Sequence, residues 1–277
     1  MLTLSSYAEV YPKLRPDLHE GTINIHRTVL ASIIKAMGKG TKLADIHPRD
    51  ADDWRLGIMD GRRPNTVTLY VSAAKSIFET AKRRGEIQIN PFRELKAPSP
   101  SPDKDWADIT RDDLASILEA CPDASWMRLF ALCRLAGLRQ GEAIRLKWSH
   151  LSDCGTKLRI EPEERYHTVK HKRRWVPIEP GLREILADRS GGTCHPGYVC
   201  GMSRSNLHKQ ATDIIAKAGV PKFSKPFHTL RKCLESEWLA KYPAAEVCAW
   251  LGHSPTVAAK HYHRASESAM ELVSNPG

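Results

Sequence analysis

Between Lys96 and Asp105 the chain reads KAPSPSPDKD, and the prolines at positions 98, 100 and 102 prevent a helix or an inner strand from crossing it. Such a stretch favours an extended connector. The 277 residues are thereby cut into two pieces, and each must bury a core of its own. The expected organisation is a first domain over residues 1–96, a linker over 97–105 and a second domain over 106–277.

The first piece is patterned for helices. From Thr22 to Met37, Ile25, Val29, Leu30, Ile33 and Ile34 recur at three- and four-residue spacing, and Gly38 follows as a stop. Val67, Val71, Ala74, Phe78 and Ala81 repeat the pattern over Thr66–Arg84, ahead of Gly85. A shorter segment, Pro48–Met59, lies between them, and with strand signals scarce a small helical bundle is predicted. In the second piece Thr110 and Asp113 form a capping box that opens a helix over Arg111–Ala120. Ser125–Ala136 is apolar and helical up to Gly137, and another helix starts near Gln140. Between Lys157 and Ile178 the character changes: KLRI, YHTVK and RWVPI are β-favouring runs separated by charged turns. Helical signals return over Asn206–Ala218, Thr229–Lys241, Ala244–Leu251 and Thr256–Tyr262. The fold class is mainly α with one small antiparallel β-sheet.

The net charge of +10 is shared by both pieces, with 16 basic against 11 acidic side chains through residue 100 and 26 against 21 beyond it. An excess spread this widely suits an extended polyanion, with double-stranded nucleic acid the first choice. Arg62, Arg63, Lys75, Lys82, Arg83 and Arg84 stand out in the helical domain, as a solvated face or as contacts to a DNA backbone. No apolar run approaches the ~20 residues of a membrane span. The N-terminal MLTLSSYAEVYPKL lacks a basic start followed by an apolar stretch, so a cytoplasmic protein without membrane association is expected. Seven cysteines at scattered spacing suit reduced thiols. Cys194 and Cys200, near His195 and His208, are spaced more widely than a zinc pair, so no metal is expected there.

Four stretches concentrate phosphate-seeking groups. In LAGLRQGEAIRL, Arg139 follows a helix-ending glycine and precedes the next helix, within reach of Glu142. A guanidinium held in such a turn can donate two parallel hydrogen bonds to phosphate oxygens, although a surface arginine beside a capping glutamate would read the same way. In TVKHKRRWVPI, Lys170, Lys172, Arg173 and Arg174 crowd a hairpin turn. Such a tip can enter a DNA groove and supply a proton-donating lysine, or it can simply keep a sheet edge soluble. In PFHTLRK, His228 and Arg231 are three residues apart on one face of a helix near its N-terminus, where free N–H groups favour an anion. The last is LGHSPTVAAKHYHR, where Tyr262 lies nine residues after His253 and between His261 and His263. Residues two apart do not share a helix face, so those flanking histidines are a poor metal pair.

GLRQGE, HTLR, LGH and the following tyrosine, in this order with a lysine-bearing hairpin between the first two, closely resemble the tyrosine recombinase (phage integrase) family. The resemblance runs over nearly the whole chain and includes RRGEIQINPF, Arg83 to Phe92, near the end of the helical domain. It implies a helical core-binding domain followed by an α/β catalytic domain, the two gripping opposite faces of duplex DNA. It also implies roles. Arg139 and Arg231 would hold the nonbridging oxygens of the scissile phosphate, where loss of one comparable donor typically costs ~3–4 kcal/mol of transition-state stabilisation. Tyr262 would attack phosphorus, giving a 3′-phosphotyrosyl link and a free 5′-hydroxyl. Its proton would pass to His228, since a phenol with a pKa near ~10 needs an acceptor or a strongly positive site. Lys170 would protonate the 5′-oxygen, with Lys172 the alternative acid; His253 would bond the phosphate and Glu142 would support from behind. Arg173 and Arg174 join the DNA-facing set.

In this scheme one phosphodiester is exchanged for another, so no metal, nucleotide cofactor or small-molecule substrate is called for. The departures are the VKHKRR turn, where relatives often carry a lysine and then a small or glycine-containing turn, and the long acidic EPEERY connection. The implied activity is site-specific DNA recombination or integration, by a homotetramer assembled on two DNA sites from free monomers. Phage, transposon, integron and chromosome-maintenance roles are equally compatible. Type IB topoisomerase-like relaxation uses similar chemistry, and a catalytically idle DNA-binding protein is the alternative outside enzymes. The amphipathic ASESAMELV, Ala265 to Val273, could pack on a neighbouring protomer or on its own domain.

Overall fold

Thr3 and Ser6 cap one another's backbone, Ser6 N donating to Thr3 Oγ1 and Thr3 N to Ser6 Oγ, and so start helix α1 (Leu4–Leu14). The structure, a computed structural model, describes residues 2–99, 107–162, 173–189, 197–203 and 206–253. They group into two compact units, Met1–Lys104 and Asp105–Gly277.

In the first unit α1 is followed by α2 (Glu20–Met37), α3 (Pro48–Met59) and α4 (Pro64–Arg83). No periodic apolar pattern marks α1 in the sequence, because Pro12 stands inside it and its buried stripe is made largely of tyrosines. Those tyrosines satisfy their hydroxyls inside the core: Tyr7 donates to Ile77 O at 2.9 Å, and Tyr11 bonds His26 Nδ1 at 2.7 Å. His26 thus belongs to the buried stripe of α2 with Ile23, Val29, Leu30 and Ile33. Ile25 and Ile34, expected in that stripe, are half-buried at its edge. On α4 the buried residues include Val67, Val71, Ala74, Ile77 and Phe78. Phe92 closes the core, its ring 4.4 Å from Phe78 and 5.5 Å from Trp54. Buried Asn90 ties the segment ahead of Phe92 to α4, donating to Lys75 O at 3.0 Å and Glu79 Oε2 at 3.1 Å.

The second unit is built on α6 (Ala124–Leu135), which is buried along nearly its whole length. Around it lie α5 (Arg111–Glu119), α7 (Gln140–Arg145), α8 (Pro180–Ala187), α9 (Leu207–Lys217), α10 (Pro226–Leu239) and α11 (Ala244–Leu251). Phe130 of α6 meets Phe227 of α10 at 5.6 Å. Arg134, fully buried on α6, donates to Ile109 O and pairs with Glu237 of α10, which Arg111 also reaches. A charge at that depth is tolerated because its partner comes with it. Helix α8 lies outside the helices expected from sequence; Leu182 and Leu186 are buried and Ile185 packs beside them, but eight residues are too few for a periodicity to register. Helix α10 begins three residues before the expected start, with Pro226 in its first turn and Lys225 at φ 49° before it.

The sheet consists of β1 (Lys157–Ile160) antiparallel to β2 (Arg174–Pro177), with Leu158 opposite Val176 and Ile160 opposite Arg174. Leu158 and Val176 are fully buried. The two-residue period of a strand therefore turns Arg174 inward as well. Trp175 faces the other way, 43% exposed, with Lys157 and Arg159 over its ring. The expected strand YHTVK, the helix Thr256–Tyr262, the segment 265–273 and the motif residues Cys194, His195, His261 and His263 lie outside the described residues. No described helix is long and apolar enough to cross a membrane.

Candidate active site

Gly137 ends the helical run of α6 at φ 61°, and the chain turns through Leu138 to Arg139, which caps α7. Glu142, in the first turn of α7, folds back on that cap: Arg139 N donates to its Oε2 at 2.9 Å and Arg139 Nη1 to its Oε1 at 3.0 Å. Arg139 Nη2 donates to Gly252 O at 3.1 Å, while the side chain keeps 40% of its surface exposed. The guanidinium is thus oriented from behind and open in front. Glu142 is 7% exposed and also receives Arg174 Nη2 at 2.8 Å. Burial alone would push its carboxyl up; Arg174, then Arg139, override this and hold it down to about 2.

Arg231, 4% exposed on α10, donates to Gly137 O and, at 2.7 Å, to Leu251 O. It therefore ties the turn before Arg139 to the end of α11, and each terminal nitrogen retains a second N–H. Its Nη1 is 4.0 Å from Glu142 Oε2. Burial first, and then the like charge of Arg139, lower its pKa to about 10. Three guanidinium groups face one carboxylate, leaving a surplus of positive charge suited to an anion. His228, exposed in the first turn of α10, lines a hollow of about 290 Å³ with Arg139, Gln140, His208, Lys225 and Arg231.

His253 follows Gly252, the αL residue that ends α11 at φ 70°. A Cβ on Gly252 would stand 2.9 Å from Arg174 Cζ, so this position accepts glycine on both conformational and packing grounds. His253 N donates to Cys248 O at 3.2 Å, and its ring Nε2 is bonded to Glu235 Oε1 on α10.

The structure thus brings together Arg139, Glu142, His228, Arg231 and the backbone bearing His253. Tyr262, Lys170 and Lys172 lie outside the described residues. Arg174, assigned from sequence to the DNA-facing set, is 10% exposed, with Nη2 on Glu142 and Nε on Trp250 O at 2.8 Å. Its inward direction was readable, since Arg174 and Val176 alternate with Trp175. Glu235 was also missed, though it falls at four and seven residues from Arg231 and His228, on their helix face. Arg173 remains 67% exposed, paired with Glu161 at 2.8 Å.

In the first unit, Arg62 and Arg63 precede α4 and Lys82, Arg83 and Arg84 end it, so the two groups are separated by the ~30 Å length of a 20-residue helix. Arg62 lies over the Tyr70 ring, Arg83 donates to Thr80 Oγ1, and Lys75 is half-buried between the two ends.

No family-level sequence profile matches the chain. An integrase of Saccharopolyspora erythraea is 28% identical over 126 residues, 45% of this chain and 29% of that protein. A XerC-like tyrosine recombinase of Caldanaerobacter subterraneus subsp. tengcongensis is 25% identical over 238 residues, 70% of this chain and 60% of that protein. The chain thus spans less than two thirds of the length of either relative. Among solved structures, a lambda integrase dimer bound to a core site superposes with a TM-score of 0.74 at 18% identity, covering 96% of this chain and 79% of that one. The Tn1549 transposon integrase in complex with transposon right end DNA gives 0.75 at 15% identity, covering 99% and 100%. Similarity in sequence and likeness in fold agree: the chain is similar to integrases and tyrosine recombinases in sequence and has the fold of the lambda and Tn1549 integrases.

Proposed function

We propose that this chain cleaves and rejoins double-stranded DNA at specific sites through a 3′-phosphotyrosyl intermediate. The observation that carries the proposal is the pair Arg139 and Arg231, held by Glu142, Gly137 O and Leu251 O beside the hollow lined by His228. Two fixed guanidinium groups match the nonbridging oxygens of a phosphodiester and the charge that grows on them in the transition state. Tyr262 is the nucleophile, His228 takes its proton, Lys170 (or Lys172) returns one to the departing 5′-oxygen, and His253 bonds the phosphate. In this reading residues 1–96 are the core-binding domain, 97–105 the linker and 106–277 the catalytic domain, and Arg62, Arg63, Lys75, Lys82, Arg83, Arg84 and Arg173 contact the DNA backbone. Two sites are joined by four protomers, since a full exchange needs four cleavages.

The test is covalent trapping on fragmented genomic DNA from the source organism, with detergent quenching and sequencing of the protein-linked ends. Wild type is expected to yield adducts at discrete sites and Tyr262→Phe none. DNA binding without any wild-type adduct would make the chain an idle binder. Relaxation of supercoiled plasmid without exchange between two mapped sites would instead assign topoisomerase-like activity.

A further inference from the structure

Glu235 is 7% exposed, and no step described so far uses it. Its Oε1 is bonded to His253 Nε2, and each of the two side chains keeps 10% of its surface exposed. The other ring nitrogen of His253, Nδ1, is buried and has no hydrogen-bond partner among the described residues. A buried ring nitrogen without a partner is uncommon in a native protein and calls for an explanation. The backbone leading into His253 is tied to the arginine pair: the carbonyl just before it, Gly252 O, receives Arg139, and the one before that, Leu251 O, receives Arg231.

We infer that Glu235 is the positioning residue for His253, taking Nε2 and leaving Nδ1 as the atom that meets the scissile phosphate. The inference rests on the recombinase reading above. An ionised carboxylate only accepts hydrogen bonds, so Nε2 carries a proton toward Glu235. To donate to a nonbridging oxygen, Nδ1 must carry one too. The ring therefore works as an imidazolium whose charge Glu235 balances from behind while the phosphate takes the front. The arrangement repeats on a histidine what Glu142 does for Arg139: a buried carboxylate on a helix fixes which edge of a cationic group remains for substrate.

The test uses the full chain on a nicked duplex carrying a mapped cleavage site, reading the adduct-formation rate at saturating DNA separately from Kd. Glu235→Ala is expected to lower that rate by ~10-fold or more through misplacement of the ring, with Kd little changed. Glu235→Gln, which still offers an oxygen to Nε2–H but no charge, is expected to recover part of the rate by restoring the ring's orientation without the charge balance. His253→Asn sets its amide near the Nδ1 position and His253→Gln near Nε2, so the Asn variant is expected to retain more activity. A Gln variant as active as Asn or more so, or Glu235→Ala with the wild-type rate, overturns the inference. Should Glu235→Ala fail to fold, the Asn and Gln pair decides. Long-range ¹H–¹⁵N spectra of the DNA-free protein supply an arm independent of activity: a proton on His253 Nε2 in wild type, altered in Glu235→Gln, is expected. An Nε2 without a proton rejects the pairing. If wild type forms no adduct on any DNA, the recombinase reading fails instead, and the spectra decide the Glu235 pairing by themselves.

Discussion

Arg174 donates from Nη2 to Glu142 Oε2 at 2.8 Å, joining a strand residue to a helix residue 32 positions away in one buried ion pair. The other oxygen of Glu142 receives Arg139 at 3.0 Å, and Arg231 stands 4.0 Å off. One carboxylate therefore organises the cationic side of the site. Removing one partner of a buried pair typically costs ~3–5 kcal/mol, and here cations would be left facing one another. Glu142→Ala is expected to lose stability of that order in urea unfolding, and Glu142→Gln, which keeps an acceptor, to lose less.

The same carboxyl gives a pH signature. Its pKa falls from the usual 4.5 to about 2 in the folded chain. A depressed folded value means that the carboxylate stabilises the fold above 4.5 and that this contribution disappears as pH falls toward 2. The contribution is of the order of ~3 kcal/mol. Wild-type stability is expected to drop between pH 4.5 and 2 more steeply than that of Glu142→Gln. Parallel profiles across that window would contradict the assignment.

Gly137 and Gly85 both hold positive φ, at 61° and 75°, but their surroundings differ. A Cβ on Gly137 would come within 2.5 Å of Leu251 Cδ2 and 3.2 Å of Leu234 Cδ2, whereas one on Gly85 would meet nothing within 4 Å. Both alanine variants carry the left-handed strain of ~1–2 kcal/mol. Only Gly137→Ala adds the overpacking penalty, another ~1–3 kcal/mol, in the turn that presents Arg139. Thermal melts are expected to rank Gly137→Ala well below Gly85→Ala, with wild type above both.

Cysteine reactivity separates along the same lines of environment. Hydrogen bonds from Ser152 and then Thr156 lower exposed Cys154 to about 7, while burial pushes Cys121 and Cys200 up to about 12. Among the described cysteines, Cys154 is expected to alkylate first at neutral pH, with a rate rising through about pH 7. Peptide mapping by mass spectrometry after brief iodoacetamide treatment checks this.

The sequence exposed these features unevenly. Helices with an apolar stripe and a glycine stop, α2 and α4, were legible almost to the residue because period and punctuation agree. Helix α1 was not, because its buried positions are tyrosines whose hydroxyls need partners 15 and 70 residues away. The motif residues Arg139, Glu142, His228, Arg231 and His253 could be named, since their types and order carry the chemistry. What supports them could not be named so directly. Gly137 O and Leu251 O receive Arg231, and Gly252 O and Trp250 O receive Arg139 and Arg174. These are backbone atoms, and backbone carbonyls leave no mark in a sequence.

Arg173 and Arg174 are neighbours in sequence with opposite expected phenotypes. Arg173 is 67% exposed and paired with Glu161, and its proposed role is contact with the DNA backbone. Arg173→Ala is expected to weaken DNA binding and to reduce the slope of log affinity against log salt by ~0.9 for one lost phosphate contact. Its adduct-formation rate at saturating DNA should stay at the wild-type value. Arg174 has both edges committed, to Glu142 and to Trp250 O, so it has little left to offer a phosphate. Arg174→Ala should leave the salt slope unchanged and lower the saturated rate, by as much as ~100-fold if Arg139 shifts by an ångström. Arg174→Lys should behave like Ala rather than wild type, because one ammonium cannot span two acceptors on separate elements. Fluorescence anisotropy across a salt series, paired with single-turnover adduct assays, separates the two patterns. A reduced salt slope for Arg174→Ala with an intact rate would return this residue to the DNA surface.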